Sequence, residues 1–312
     1  MHCGLRRFQA LQHLGDFDLV LIHREAFPFF APLVESYVLR RHPKVIFSFD
    51  DAIYVGHDNC SGLSHPFLYR VKHGKGYDEV IRQSSHVVVG NAVLAAHARQ
   101  FNSLVTIVPT VVDTEKVWPK PALPASSMPI TIGWVGSAST ASYLSMIEPP
   151  LQQIARAYPE RVRFRFFGYP DYKPQLPKSV SLPFNLRTER EDIRSLDIGL
   201  MPMPDTEWTR GKCAFKAIQY MACGVATVAS PVGVTTDLIQ HEVNGLLAKS
   251  SDEWLGAIKR LICDVDLRRR LAERARDTIV KQYSLQVWGP RLVECFDQVL
   301  SRTQVEPVAI AA

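Results

Sequence analysis

The stretch Arg210-Gly-Lys-Cys-Ala-Phe-Lys-Ala-Ile-Gln-Tyr-Met-Ala-Cys-Gly224, continued by Val225-Ala-Thr-Val-Ala-Ser-Pro-Val-Gly233, decides the fold. At helical spacing Ala214, Ile218, Met221 and Ala222 share an apolar stripe, while Lys212, Lys216, Gln219 and Cys223 share another face. Thr209 is placed to accept hydrogen bonds at the helix start, and Gly224 suits the left-handed residue that closes a helix. Residues 225–229 then read as a buried strand. The first-turn N–H groups have no partner within the helix, the dipole there is positive, and Arg210 and Lys212 add full charges. Gly211 permits close backbone approach, so the layout suits a phosphate or diphosphate; a solvated basic helix face is the alternative.

Upstream, residues 130–135 read as a buried strand that passes into Gly136-Ser137-Ala138-Ser139-Thr140, small residues followed by a Thr-capped helix. Strand, small-residue loop and helix start again form a phosphate cradle. Two helix starts aimed at one diphosphate make Gly136, Ser137, Ser139, Arg210, Lys212, Lys216 and Gln219 the candidate phosphate-binding set, which the resemblance described next makes a donor-binding set. Around them, 162–167 and 198–201 read as strands, Pro149-Pro150 as a helix interruption, 188–191 and 250–253 as capping boxes, and Asn244-Gly245 as a turn. Such alternation describes a doubly wound α/β domain.

The runs Lys212-Cys-Ala-Phe-Lys-Ala-Ile-Gln-Tyr-Met-Ala-Cys-Gly224, Ala229-Ser-Pro-Val-Gly233 and Asn244-Gly-Leu-Leu247 resemble the donor-binding half of retaining nucleotide-sugar glycosyltransferases of family 4. The resemblance implies the α/β GT-B fold, two doubly wound Rossmann-like domains facing across a cleft. It also implies hexosyl transfer, with retention, from a nucleoside diphosphate sugar to a glycan or lipid-linked acceptor, as in polysaccharide biosynthesis. Neither metal nor cofactor is expected. In that family the helix carries two glutamates; Gly211 and Gln219 stand in their places here, and Gln219 can still bond a ribose diol. Relatives commonly have an arginine and a lysine where Ser137 and Ser139 stand, which leaves Arg210, Lys212 and Lys216 to supply the charge.

In the first half, 18–23, 44–49, 86–89 and 104–108 read as strands, with helices over 31–41, from Pro66 to Gln83, and from an Asn91 cap to Gln100. Four strands are fewer than the GT-B pattern begins with, so the N-terminal domain, 1–112, is expected to be incomplete. A Pro- and Ser-rich linker 113–129, the donor domain 130–283, a helix 284–304 packing back on the first domain and a tail 305–312 complete the division. Asp50 and Asp51 follow the strand 44–49, and Glu25 follows the strand before it, at carboxyl ends where ligands of open sheets sit. The resemblance makes Asp50, Asp51 and Glu25 catalytic candidates on the acceptor or sugar side, where many relatives have a histidine. Two other readings stay open: one aspartate caps the next segment and pairs with Arg24, or the pair clamps a metal on a nucleotide.

Length and composition set the outer limits. At 312 residues with 46% hydrophobic content the chain can bury one large or two ordinary α/β cores. No apolar run reaches the ~20 residues of a membrane span, so the cytoplasm is the expected compartment. Six cysteines without a CxxC pair argue against a zinc or redox site. The net charge of +5 suits anionic ligands or peripheral contact with the inner face of a membrane, and no basic-aromatic stripe argues for nucleic acid. A non-catalytic nucleotide-sugar-binding remnant is the rival class, and a nucleotide-sugar epimerase of the same fold a second rival.

Overall fold

The computed structural model describes residues 10–26, 32–55, 76–120 and 129–302. It divides into two compact units, one running to Pro109 and taking in the chain from Gly289 onward, the other Thr110–Trp288. In the first, β1 (Val20–His23), α1 (Leu33–Arg41), β2 (Val45–Phe49), α2 (Gly76–Gln83), β3 (His86–Val89), α3 (Ala92–Ala98) and β4 (Val105–Ile107) alternate. All four strands are parallel, in the order β1-β2-β3-β4. β2 and β3 are covered on both faces, which is why they read as continuous hydrophobic runs without alternation. Asn91 caps α3 as expected, its Oδ1 accepting the Leu94 N–H at 3.0 Å. The start expected for α2 at Pro66 lies outside the described residues, as do 121–128 of the expected linker and the tail 305–312.

The second unit continues with β5 (Ile130–Val135), α4 (Ala138–Ala141), α5 (Glu148–Ala157), β6 (Val162–Phe167), β7 (Ser179–Leu182), α6 (Glu189–Arg194) and β8 (Ile198–Met201). After these come α7 (Glu207–Arg210), α8 (Phe215–Ala222), β9 (Ala226–Ala229), α9 (Thr235–Leu238), β10 (Leu246–Leu247), α10 (Ser251–Cys263) and α11 (Val265–Gln282). The sheet is parallel, in the order β10-β9-β8-β5-β6-β7. One face buries Ile130, Ile132, Trp134, Phe164, Phe166 and Leu200 under Leu151, Ile154, Ile258 and Leu261 of α5 and α10. On α8, Ala217, Ile218 and Met221 bury with Ala229, Ala275 and Ile279. At about 1.5–3 kcal/mol per fully buried large aliphatic or Phe side chain, these layers hold the strand ends that position the loops. The last helix, α12 (Leu285–Ser301), buries Cys295 and Val299 against Ile46 and Val88.

Several local expectations give way to the structure. Pro149 and Pro150 open α5 rather than interrupt it, because the first helical positions need no N–H partner. Thr188 forms no capping box; its hydroxyl donates to Asp192 Oδ2 at 2.9 Å instead. Ser250 and Glu253 do form theirs. No helix among the described residues is long and apolar enough to cross a membrane.

Candidate functional site

The strand order of the second unit reverses between β5 and β8, the point at which a doubly wound sheet opens a crevice at its carboxyl end. The segments that leave there bear the predicted donor-binding residues: 136–139 after β5, 202–214 after β8, and α8, which carries Lys216 and Gln219. Tyr220 of α8 ties both strands together. Its hydroxyl accepts the Val135 N–H at 2.8 Å and donates to Leu200 O at 3.3 Å. Gly199 makes room for it, since a Cβ there would stand 2.6 Å from the ring. Burial pushes the Tyr220 phenol up, so it stays a neutral clamp.

The single helix expected from Thr209 to Cys223 is two helices. Thr209 is an interior residue of α7, forming a capping box with Thr206 and donating its hydroxyl to Pro204 O at 2.5 Å. Ala214 then takes a left-handed conformation, φ +54°, and α8 starts only at Phe215. Lys212 therefore lies on the connecting segment, its Nζ 5.0 Å from the Trp208 ring centroid, rather than on a helix face with Lys216 and Gln219. Cys223 leaves that face too. It is buried, and desolvation pushes its thiol up to about 12.

Lys216 and Gln219 remain one turn apart on α8. The Lys216 ammonium stands 5.8 Å from the Trp134 ring centroid, and a Cβ on Gly136 would come 2.1 Å from Trp134 Cζ2 and 2.6 Å from Lys216 Cε. The structure thus brings Gly136 and Lys216 together. Ser137 and Ser139 bond each other through their hydroxyls at 2.9 Å, and Ser137 precedes α4 without capping it; Thr140, expected as the cap, lies inside that single turn. Arg210 is bound to Asp205 through Nε at 2.6 Å and Nη2 at 3.2 Å. That pairing raises the guanidinium and lowers the carboxyl, and its charge is largely balanced where it stands. Gln219 donates Nε2–H to Glu189 Oε1 at 2.9 Å.

Glycines pack these loops. The Gly136 N–H donates to Phe167 O, and Gly168, at φ +102°, lies so near that a Cβ would fall 1.7 Å from Gly136 O. A Cβ on Gly233, at φ +56°, would meet Arg210 O at 2.5 Å, so the turn after β9 seats directly on α7.

In the first unit, β1 lies beside β2, and the Arg24 N–H donates to Ser48 O at 2.7 Å. Arg24, left-handed at φ +57°, sets its Nη2 2.7 Å from Asp51 Oδ2 and its Nε 3.6 Å from Asp50 Oδ1. The pairing of these aspartates with Arg24 is therefore observed. Glu25 follows in the chain, and its neighbour Ala26 donates its N–H to Glu35 at 2.7 Å. Burial raises the Glu35 carboxyl. Among the described residues no three His, Cys, Asp or Glu side chains gather as a metal-binding group.

With this geometry in place, comparison with known proteins shows what the second unit is similar to. Residues 129–264 match the family described as glycosyl transferases group 1. The D-inositol 3-phosphate glycosyltransferase of Stackebrandtia nassauensis is 29% identical over 119 residues, which is 38% of this chain and 26% of that protein. The chain thus matches well under two thirds of that relative's length. A glycosyltransferase from Rickettsia africae superposes with a TM-score of 0.68 at 13% identity, covering 95% of this chain and 81% of the other. Anabaena HepE, in complex with UDP-glucose, gives 0.69 at 16% identity over 94% and 82%. At such identities the likeness establishes the fold alone, and the fold is GT-B, with Rossmann-like units.

Sequence reasoning gave no site role to Tyr220, Asp205, Gly168 or Glu189. Gly168 had a visible signal, a glycine directly after a strand, whereas the partners of Arg210 and Gln219 emerge only when separate elements fold together.

Proposed function

We propose that the chain is a retaining family 4 glycosyltransferase moving a hexosyl group from a nucleoside diphosphate sugar to a glycan or lipid-linked acceptor. One observation carries this reading: within the domain matching glycosyl transferases group 1, the loop after β5 and the helix after β8 meet at the strand-order reversal, with Lys216 against Gly136. The first turn of α8, Lys212 and Lys216 hold the diphosphate and stabilise the negative charge that develops on it as the sugar departs. Arg210, balanced by Asp205, shapes the loop more than it adds charge. That the similar HepE structure was obtained with UDP-glucose supports a nucleotide-sugar donor. The positive net charge suits work in the cytoplasm beside an anionic membrane face.

Calorimetric titration with UDP, GDP and ADP tests the reading. At least one binds, and Lys212→Ala weakens that binding by roughly 1–3 kcal/mol through loss of a charge-assisted contact. Failure of all three nucleotides to bind the folded protein overturns it. No divalent metal is required, so transfer persists in excess EDTA; abolition by EDTA with rescue by manganese would instead restore the metal reading of Asp50 and Asp51.

A further inference from the structure

Strand β7 forms one edge of the second unit's sheet, and its side chains divide by chemistry. Ser179 and Ser181 turn to the segment before the strand, their hydroxyls donating to Leu176 O at 2.7 Å and Tyr172 O at 2.6 Å. Val180 and Leu182 take the other face and are exposed there. The alternation carries on past the strand with Phe184, 51% exposed, and Leu186, 77% exposed. A single exposed apolar residue needs no explanation, whereas four within 180–186 mark an interaction surface.

The charge around this strip has one sign. Between Asp171 and Glu189 the chain has no acidic residue, while Lys173, Lys178 and Arg187 are cationic. Arg165 stands in register with Val180, so Arg163 and Arg165 share the face of Val180 and Leu182. Arg163 donates its Nε–H to Thr131 Oγ1 at 2.6 Å and Arg165 an Nη1–H to Ser195 Oγ at 3.4 Å, hydroxyls rather than carboxylates. Of these five cations only Lys178 meets an acid among the described residues, the exposed Glu160 at 2.8 Å.

We propose that residues 178–187 are the edge by which this protein lies against an anionic membrane, the apolar side chains entering the headgroup boundary and the arginines meeting lipid phosphates. A bilayer takes an apolar projection without a matching groove. Two copies joined through strips this small would bury less than the roughly 1,200 Å² of a stable specific interface. The proposal deepens the membrane-side reading of the function, which rested on net charge, by giving it a surface. That surface adjoins the floor of the crevice: Leu182 O accepts the Gly168 N–H at 2.9 Å, and Gly168 packs on Gly136. An acceptor anchored in the bilayer is thereby brought to the end of the sheet where the candidate donor residues stand.

The experiment floats the full chain with vesicles of phosphatidylcholine alone and of phosphatidylcholine and phosphatidylglycerol in equal parts, at low and at raised salt. Wild type floats with the anionic vesicles, and raised salt weakens this without abolishing it. F184S/L186S lowers the affinity about tenfold or more and Arg187→Ala about fivefold. Val280→Ser, which removes an exposed apolar side chain of α11, changes nothing. Circular dichroism and denaturant unfolding check that each variant is folded; should F184S/L186S fail there, Phe184→Ser and Arg187→Ala carry the test. Folded wild type floating with neither vesicle overturns the proposal. So does flotation that F184S/L186S leaves unchanged, because the contact is then net charge alone. A wild-type dimer in solution that F184S/L186S turns into a monomer assigns the strip to a second copy and overturns it too. None of these outcomes bears on nucleotide binding, and wild type binding no nucleotide brings down the glycosyltransferase reading while the membrane edge stands.

Discussion

Both units set charged residues at the carboxyl ends of parallel strands, yet the two places are built differently. In the first, the strands follow one another in chain order among the described residues, and Arg24 lies across Asp51 and Asp50. In the second, the order reverses between β5 and β8, and the segment leaving β8 carries Lys212 over Trp208 and, on α8, Lys216 over Trp134. Polar residues at strand ends do not by themselves make a site. A reversal sends consecutive crossovers to opposite faces, so the loops part and leave a crevice, whereas sequential order keeps them side by side. Arg210 and Asp205 show that the second unit also balances charge internally, and does so beside the reversal.

The sharpest way to break this contrast is to damage the packing beneath the reversal. Gly168→Ala forces a Cβ into Gly136 O and strains a left-handed backbone, so denaturant unfolding should show a loss of ~3 kcal/mol or more. A loss below ~1 kcal/mol would mean that the two loops separate at little cost. Next in size is a paired comparison. Lys216→Ala should weaken nucleoside diphosphate binding by ~1–2 kcal/mol, while Arg24→Ala leaves it unchanged. Equal effects would erase the distinction drawn between the units. Smallest is Ala214→Gly, where relief of left-handed strain, ~1 kcal/mol, opposes the lost methyl burial, ~0.8, and the entropy of a glycine, ~0.7. Unfolding should register a net loss near ~0.5 kcal/mol. A gain above ~1 would show that strain dominates at the start of α8.

Much of this architecture is legible in the sequence because the strands at the reversal are fully buried. The runs at 130–135 and 198–201 match β5 and β8 residue for residue, and Gly224 is left-handed as its position requires. Legibility fails where tertiary contacts override local preference. Alanine is a strong helix former, so nothing at position 214 announces a left-handed break; the Thr206–Thr209 box and the seat of Gly233 on Arg210 impose it. β7 is a half-exposed edge strand, Ser-Val-Ser-Leu, whose alternating serines leave no apolar run to signal it. α11 is not assigned from the sequence, although it carries a signal there, Leu267, Leu271, Ala275 and Ile279 at fourfold spacing behind an Asp264 cap. Glu189 is thirty positions from Gln219 in the chain, and no local pattern links them.

The near-contact of Gly168 with Gly136 O also bears on the thermodynamics of ligand capture. Two loops locked against each other by backbone atoms have already lost their conformational freedom when the chain folds, and a nucleotide arriving there orders little that was loose. Binding at this floor should therefore carry a small entropic penalty and a modest heat-capacity change, with the adjustment confined to the 202–214 segment on the opposite side of the reversal.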